Sequence, residues 1–279
     1  MIPPAYVANP LADAVIHTES GVAEHIDVAT YSRTRGFVQG RLTRGETPGF
    51  DAALRLLNGD TAGGGRLSAV EAMPLWQTGL ILLPQECAEP FASPDITVAR
   101  DTYLRHGFIV LPQLVTPDAT RILTDHYRTS VPAGKLTHGD RQANRHRAHN
   151  DPAGRVALNA LRETVERIVG NPIKNSYAYA SLYCGGTDLP RHRDRPQCRY
   201  TLSLQIDHQP LPPDGRSPWP VQLHLDPDAA PVECFQTIGG GILFHGSDIL
   251  HGRPTLPPDQ HSWVLLLHYV DIAFDGPLD

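Results

Sequence analysis

Tyr183-Cys184-Gly185-Gly186-Thr187-Asp188-Leu189-Pro190-Arg191-His192-Arg193-Asp194 is the stretch on which the fold of this chain turns. A β-rich run over residues 175–183 leads into it, and the Gly185-Gly186 turn redirects the chain. A strictly alternating strand follows, with Leu202, Leu204 and Ile206 on one face and Thr201, Ser203, Gln205 and Asp207 on the other. Side chains at i and i+2 of an extended strand share a face, so His192 and Asp194 can aim an imidazole and a carboxylate at one point. A second segment, Gly239-Gly240-Gly241-Ile242-Leu243-Phe244-His245-Gly246-Ser247-Asp248-Ile249-Leu250-His251, brings further imidazoles behind an apolar run. Two imidazoles and one carboxylate on one ion cover a face of an octahedron and leave the other positions open, which is the donor set of non-heme iron oxygenases.

His-x-Asp alone carries little information here. With 14 His and 21 Asp in 279 residues, chance placement gives 14 × 21/279, about one such pair, and the chain has five, beginning at His25, His138, His149, His192 and His224. Context separates them. Asp151 precedes Pro152 and a helical pattern and reads as an N-cap with Pro at N1. His138 and Asp140 lie in a polar stretch without period-2 alternation. His25 and Asp27 have no jelly-roll-like strands around them. His224 shares a polar face with Gln222 and reads as solvated. Only His192 combines a preceding strand, a Gly turn and a following alternating strand, with a later His 59 residues on (251 − 192).

The hydrophobic fraction of 41% supports a sizeable core, and no stretch approaches the ~18 continuous apolar residues of a membrane span. The start at residues 1–5 lacks the charged and apolar regions of a signal peptide. A net charge of -6 and pI near 6.1 argue against a nucleic-acid footprint. Cys87, Cys184, Cys198 and Cys234 show no Cys-x-x-Cys spacing, so neither a zinc knuckle nor a disulfide framework is indicated. These properties predict a reduced, cytoplasmic protein with no membrane or nucleic-acid partner.

Two sections are expected. Residues 1–94 read as a small helix-turn-helix or winged-helix-like section, with a helix at 50–58, a capping box at Ser68-Ala69-Val70-Glu71 opening another, and a short strand before Pro84. Its role is either recognition or that of a cap packed on the remainder. Residues 95–279 open with helices at 97–106 and 117–130, the latter with Thr116 as N-cap, around a strand at 108–112. Residues 134–150 hold Arg141, Arg145, His146, Arg147 and His149 and read as a lid, a substrate loop or a solvated basic loop. Pro152 to Val169 is a helix with Leu158, Leu161, Val165 and Ile168 on one stripe and Gly170 as its stop. Strands then dominate, at 176–183, 200–207, 221–225, 232–237, 241–244 and 263–270. A helical layer followed by many short strands predicts a mainly β domain, a double-stranded β-helix (jelly roll) with helices bracing one sheet.

The second section resembles the Fe(II)/2-oxoglutarate-dependent dioxygenases, in particular their prolyl-hydroxylase-like and phytanoyl-hydroxylase-like branches. The resemblance rests on YLRHGFIVLPQLVTPDATRIL from Tyr103, on YCGGTDLPRHRD and on GGGILFHGSDILHGRP. It implies His192, Asp194 and His251 as iron ligands, with His245 and His268 as competitors for the distal place. It sets the Tyr183 hydroxyl near the 2-oxoglutarate co-substrate. The family's cation for the far 2-oxoglutarate carboxylate is missing, because Gln260, His261 and Ser262 stand where an Arg or Lys is usual. Arg253, Arg195 and His261 are the replacements, in that order, since a guanidinium can grip a carboxylate with two parallel bonds. A carboxylate at Asp194, where related halogenases carry a small residue, implies hydroxylation, or else desaturation or ring closure. The implied substrates are O2 and a small amino-acid-like, peptide or biosynthetic-intermediate molecule. Two rival readings are an iron oxygenase independent of 2-oxoglutarate and a metal-free jelly-roll binding module.

Overall fold

The chain divides into two units, Met1–Glu89 and Pro90–Asp279, of which the structure, a computed structural model, describes residues 6–59, 67–139 and 142–278. The start at 1–5, Asp140 and Arg141 of the reading above lie outside the described residues.

In the first unit β1 (Val7–Ala8) precedes a meander of β2 (Asp13–Glu19), β3 (Val22–Ser32) and β4 (Gly36–Thr43). Helices α1 (Phe50–Leu57) and α2 (Ala69–Gln77) follow, and β5 (Ile81–Leu82) pairs antiparallel with β1. Ser20 and Gly21 both take positive φ (51° and 80°), the conformation that a two-residue hairpin between Glu19 and Val22 requires. Ile26, Val28 and Leu42 from the sheet, Phe50 and Ala53 from α1, and Leu75 from α2 close one core. The Ser68–Glu71 capping box forms as expected. The sheet adds to the sequence reading. Besides the expected helices and short strand the unit holds β1 and the β2–β4 meander, and His25-Ile26-Asp27 sits inside β3, where Asp27 is held by Arg41 at 2.6 Å.

The second unit runs α3 (Ile96–His106), β6 (Phe108–Leu111), α4 (Pro117–Ser130), β7 (Thr137–His138), β8 (Arg145–His149) and α5 (Pro152–Val169). Then come β9 (Ile173–Tyr183), β10 (Leu189–His192), β11 (Tyr200–Gln209), β12 (Val221–His224), β13 (Val232–Cys234), β14 (Gly241–His245), β15 (Leu250–Arg253) and β16 (His261–Asp271). The described strands form two antiparallel sheets, ordered β6-β14-β11-β16-β9-β8-β7 and β10-β15-β12-β13. This is the double-stranded β-helix expected from the sequence.

Helix α5 explains why the larger sheet is two-faced. Asp151 caps it through the Gly154 N–H, Pro152 occupies N1, and Gly170 ends it in the left-handed region (φ 79°). Its stripe of Leu158, Leu161, Val165 and Ile168 is at most 4% exposed. Full burial of such a side chain stabilises by about 1.5–3 kcal/mol. The Tyr269 hydroxyl donates to Leu158 O (2.9 Å), fixing α5 to β16. Alternation then turns Val264, Leu266 and His268 of β16 inward to a cavity between the sheets. On β11 the same alternation puts the polar Thr201 and Ser203 on the cavity wall, so here the polar face is the interior one. Thr116 sits at the N-cap position of α4 without a side-chain cap hydrogen bond, Pro117 at N1 already removing one orphan donor.

Residues 134–150 depart from the expected loop. Their β7 and β8 extend the larger sheet at its β9 edge. No hydrophobic alternation announces them because Arg145 turns toward a polar cavity while His146 turns to the opposite, open side.

Candidate functional site

A cavity of about 490 Å³ opens between the two sheets, within the size range of small-molecule pockets. His192 ends β10 and His251 stands in β15, and the two are direct register partners across that antiparallel pair. Their ring centroids lie 4.5 Å apart. Asp194 follows two residues after His192, its N–H held by Gly246 O at 2.9 Å. Asp194 Oδ1 lies 3.6 Å from His192 Nε2 and 3.7 Å from His251 Nε2.

Both imidazoles are oriented by one device. His192 Nδ1 meets Pro190 O at 2.8 Å and His251 Nδ1 meets Ile249 O at 2.9 Å. A carbonyl only accepts, so each Nδ1–H donates to it, and each Nε2 is thereby turned toward Asp194. The carboxylate is oriented in turn. Thr201 Oγ1 donates to Asp194 Oδ2 (2.9 Å), and His268 Nδ1 contacts Thr201 Oγ1 at 3.1 Å. Oδ1 is thereby left for the two histidines.

Electrostatics agree with a ligand role. Burial alone would raise the Asp194 carboxyl, but the His192 hydrogen bond, the charges of His268 and His251 and the Thr201 hydrogen bond outweigh it and bring it down to about 2. Burial pushes His251 below the usual imidazole range, keeping its lone pair available. For His192 burial is outweighed by Asp194 and Pro190, so its pKa rises. His192, Asp194 and His251 offer ligand atoms within 4.8 Å of one another, a set that could hold a metal ion. The donor set, two imidazoles and an ionised carboxylate with the cavity beyond them, fits Fe(II).

Asp194 belongs to a second group with Cys198 and His268. Cys198 is a poor ligand there. Burial pushes its thiol up to about 12, and its sulfur lies 2.9 Å from the Tyr177 hydroxyl. His268 is wholly buried rather than half-buried, and desolvation lowers it to about 4, so it stays neutral beside Thr201. His245, the other competitor, packs between the Tyr103 and Tyr200 rings and is not a lining residue of the cavity.

Tyr183, Arg253 and Arg195 of the expected co-substrate set line the cavity, whereas His261 is exposed and does not. Arg253 is 6% exposed. Its Nη1 donates to Trp219 O (2.8 Å), its Nη2 to Gln236 Oε1 (3.0 Å), and its guanidinium stacks on Trp219. Desolvation brings its pKa down to about 10, and among the described residues no carboxylate pairs with it. Nearby, Ser203 Oγ is buried without a hydrogen-bond partner. Arg195 is exposed and donates to the Tyr177 hydroxyl at 2.7 Å.

Sequence reading missed Arg145. Its Nη1 donates to the Tyr183 hydroxyl (2.9 Å), and its guanidinium lies over the Tyr179 and Tyr183 rings. Tyr183 OH accepts from Arg145, so its own hydrogen remains to be donated into the cavity. No local signal marked it, because β8 shows no hydrophobic alternation.

No family model matches the chain, and no curated protein matches it in sequence. Solved structures do resemble it. A prolyl-4-hydroxylase from Pseudomonas putida aligns over 63% of this chain and 100% of its own, at 16% identity and TM-score 0.53. SnoN, described as the non-heme α-ketoglutarate-dependent epimerase of nogalamycin biosynthesis, aligns over 63% and 80%, at 12% identity and TM-score 0.52. A prolyl hydroxylase from Trichoplax adhaerens, solved with a hypoxia inducible factor oxygen degradation domain peptide fragment, aligns over 63% and 89%, at 14% identity and TM-score 0.52. At such identities what the chain shares with these three is the double-stranded β-helix fold.

Proposed function

We propose that this chain is an Fe(II)/2-oxoglutarate-dependent oxygenase that hydroxylates a small amino-acid-like, peptide or biosynthetic-intermediate substrate. The observation that carries this reading is the convergence of His192 Nε2, His251 Nε2 and Asp194 Oδ1 at one wall of the cavity. The fold shared with 2-oxoglutarate-dependent neighbours supports it.

Fe(II) held by His192, Asp194 and His251 would supply O2 activation coupled to oxidative decarboxylation of 2-oxoglutarate to succinate. The remaining work belongs to the chain. Thr201 keeps one carboxylate oxygen of Asp194 occupied and the other aimed at the metal position. Arg253 receives the far carboxylate of 2-oxoglutarate, which completes a buried guanidinium that otherwise rests on neutral acceptors. The Tyr183 hydroxyl, braced by Arg145, donates to the co-substrate. Val221, Phe244, Val264 and Leu266 line the same cavity and limit water there. A carboxylate at position 194 fills the place that a halide would need, which favours hydroxylation.

Succinate release tests the reading. The metal-loaded chain should convert 2-oxoglutarate to succinate in air, slowly without substrate, and an Asp194→Ala variant should not. Equal succinate from both proteins would remove the basis of the proposal.

A further inference from the structure

On the face of the larger sheet opposite the cavity, three ligand-type side chains converge that the oxygenase reading does not use. His138 of β7 and His146 of β8 are cross-strand partners with ring centroids 4.5 Å apart. Cys184 follows the end of β9, the strand that pairs with β8. Their ligand atoms lie within 4.8 Å of one another. Neither imidazole makes a side-chain hydrogen bond among the described residues, and the Cys184 sulfur has only a 4.0 Å contact to Leu182 O. All three are at least partly open to solvent, so an ion can enter. The separation from the proposed iron site follows from the pleat. Arg145 and Tyr183 point into the cavity, and their neighbours His146 and Leu182 therefore point to the other side.

We propose that His138, His146 and Cys184 form a second metal site, one that takes a borderline divalent ion of the zinc type. Two imidazoles with a thiolate are a donor set for such an ion, whereas Mg(II) and Ca(II) want oxygen. Bond lengths around a tetrahedral zinc place neighbouring N and S ligands about 3.4–3.6 Å apart, so exposed His138 and half-exposed His146 need close by no more than roughly an ångström on binding. The fourth position is open to water. His261 is the next imidazole, since its neighbour Ser262 pairs with Tyr183, the residue before Cys184. The metal displaces the Cys184 proton, so binding strengthens as pH rises.

The position gives the site a structural role. The ribbon β7–β8 is the outer edge of the sheet and delivers Arg145 to Tyr183. An ion bound to His138, His146 and Cys184 ties both strands of that ribbon to the end of β9.

Cobalt(II) titration of the metal-stripped full-length chain tests this independently of the iron reading, because the His192–Asp194–His251 set contains no sulfur. The wild-type chain should develop a thiolate-to-cobalt charge-transfer band with the amplitude of a single thiolate-ligated site, whatever further cobalt the sulfur-free set takes up. The Cys184→Ser variant, nearly isosteric, should lose that band, and His192→Ala should retain it. His146→Ala should weaken the affinity more than the ~10–100-fold typical of losing an outer-shell partner. A wild-type chain with no band, or a band that persists in Cys184→Ser, overturns the proposal. A Cys198→Ser variant that alone abolishes the band would assign the thiolate to the other cluster and overturn it equally.

Discussion

His192 and His251 stand directly opposite each other across β10 and β15, and each places its Nδ1 against the carbonyl two residues earlier in the chain. The repeated tether sets one tautomer for both rings and points both Nε2 atoms at Asp194. It also explains why 59 residues can separate the two histidines. The chain between them builds the remaining strands, and antiparallel pairing returns the second ring to the first.

Gly246 sits behind this arrangement. A Cβ there would lie 2.5 Å from Asp194 Oδ2 and 2.6 Å from Cys198 O, and closer still to Thr201 Oγ1. Gly246→Ala should therefore displace the carboxylate and weaken Fe(II) binding by about 10–100-fold, the effect of disturbing an outer shell. Metal affinity measured beside the far-UV spectrum checks this. Unchanged affinity in a folded variant would contradict it.

Arg253 and Arg195 are separable. Arg253→Met should weaken 2-oxoglutarate binding by about 10–150-fold, the equivalent of losing ~1.5–3 kcal/mol of charged hydrogen bonding. Arg195→Met, at the exposed rim, should change it much less. Dissociation constants for 2-oxoglutarate on the metal-loaded variants decide the ranking.

His208 gives the stability a pH dependence. It is fully buried, with Nε2 3.1 Å from Gln260 Oε1 and Nδ1 3.3 Å from Ser217 Oγ. Burial lowers its pKa, against the opposing Gln260 contact and Asp207 charge, with Arg253 adding to the lowering. The unfolded chain therefore takes up this proton at a higher pH than the folded one. Stability is complete above about pH 6.5, the ordinary imidazole value, and falls as the solution is acidified below it. Urea midpoints between pH 8 and 5 should show the decline, and His208→Gln should make it shallower, the remainder coming from buried His268 and His251, whose pKa values are also lowered.

Leu161, on the buried stripe of α5, is 1% exposed. Leu161→Ala should cost about 2–5 kcal/mol through lost burial and a residual cavity. The urea midpoint measures it, and a shift worth under 1 kcal/mol would mean that α5 does not brace the sheet as described.

Much of the second unit was legible because its signals were local. The Asp151-Pro152 start and Gly170 stop bounded α5, and alternation marked β11. The polar face of β11 was visible, but its inward direction was not, since that depends on which face α4 and α5 cover. Strand β8 was hidden because Arg145, His146, Arg147 and His149 are polar on both faces, one toward a polar cavity and one toward solvent. Arg145 went unread as a site residue for that reason. The hairpin at Ser20-Gly21 and the start of an alternation, Ile26 and Val28 against Asp27, were present in the first unit, but buried Ala29 breaks the period-2 pattern. The pairing of His192 with His251 was legible only through the resemblance, because register between distant strands leaves no local mark.

The central claim is that His192, Asp194 and His251 hold Fe(II) and present it to 2-oxoglutarate. Anaerobic titration of the apo chain with Fe(II) and then 2-oxoglutarate tests it most directly by visible absorption. A metal-to-2-oxoglutarate charge-transfer band should appear at one equivalent in the wild-type chain and be absent from His192→Ala. No band in the wild-type chain, or the same band in His192→Ala, would contradict the account.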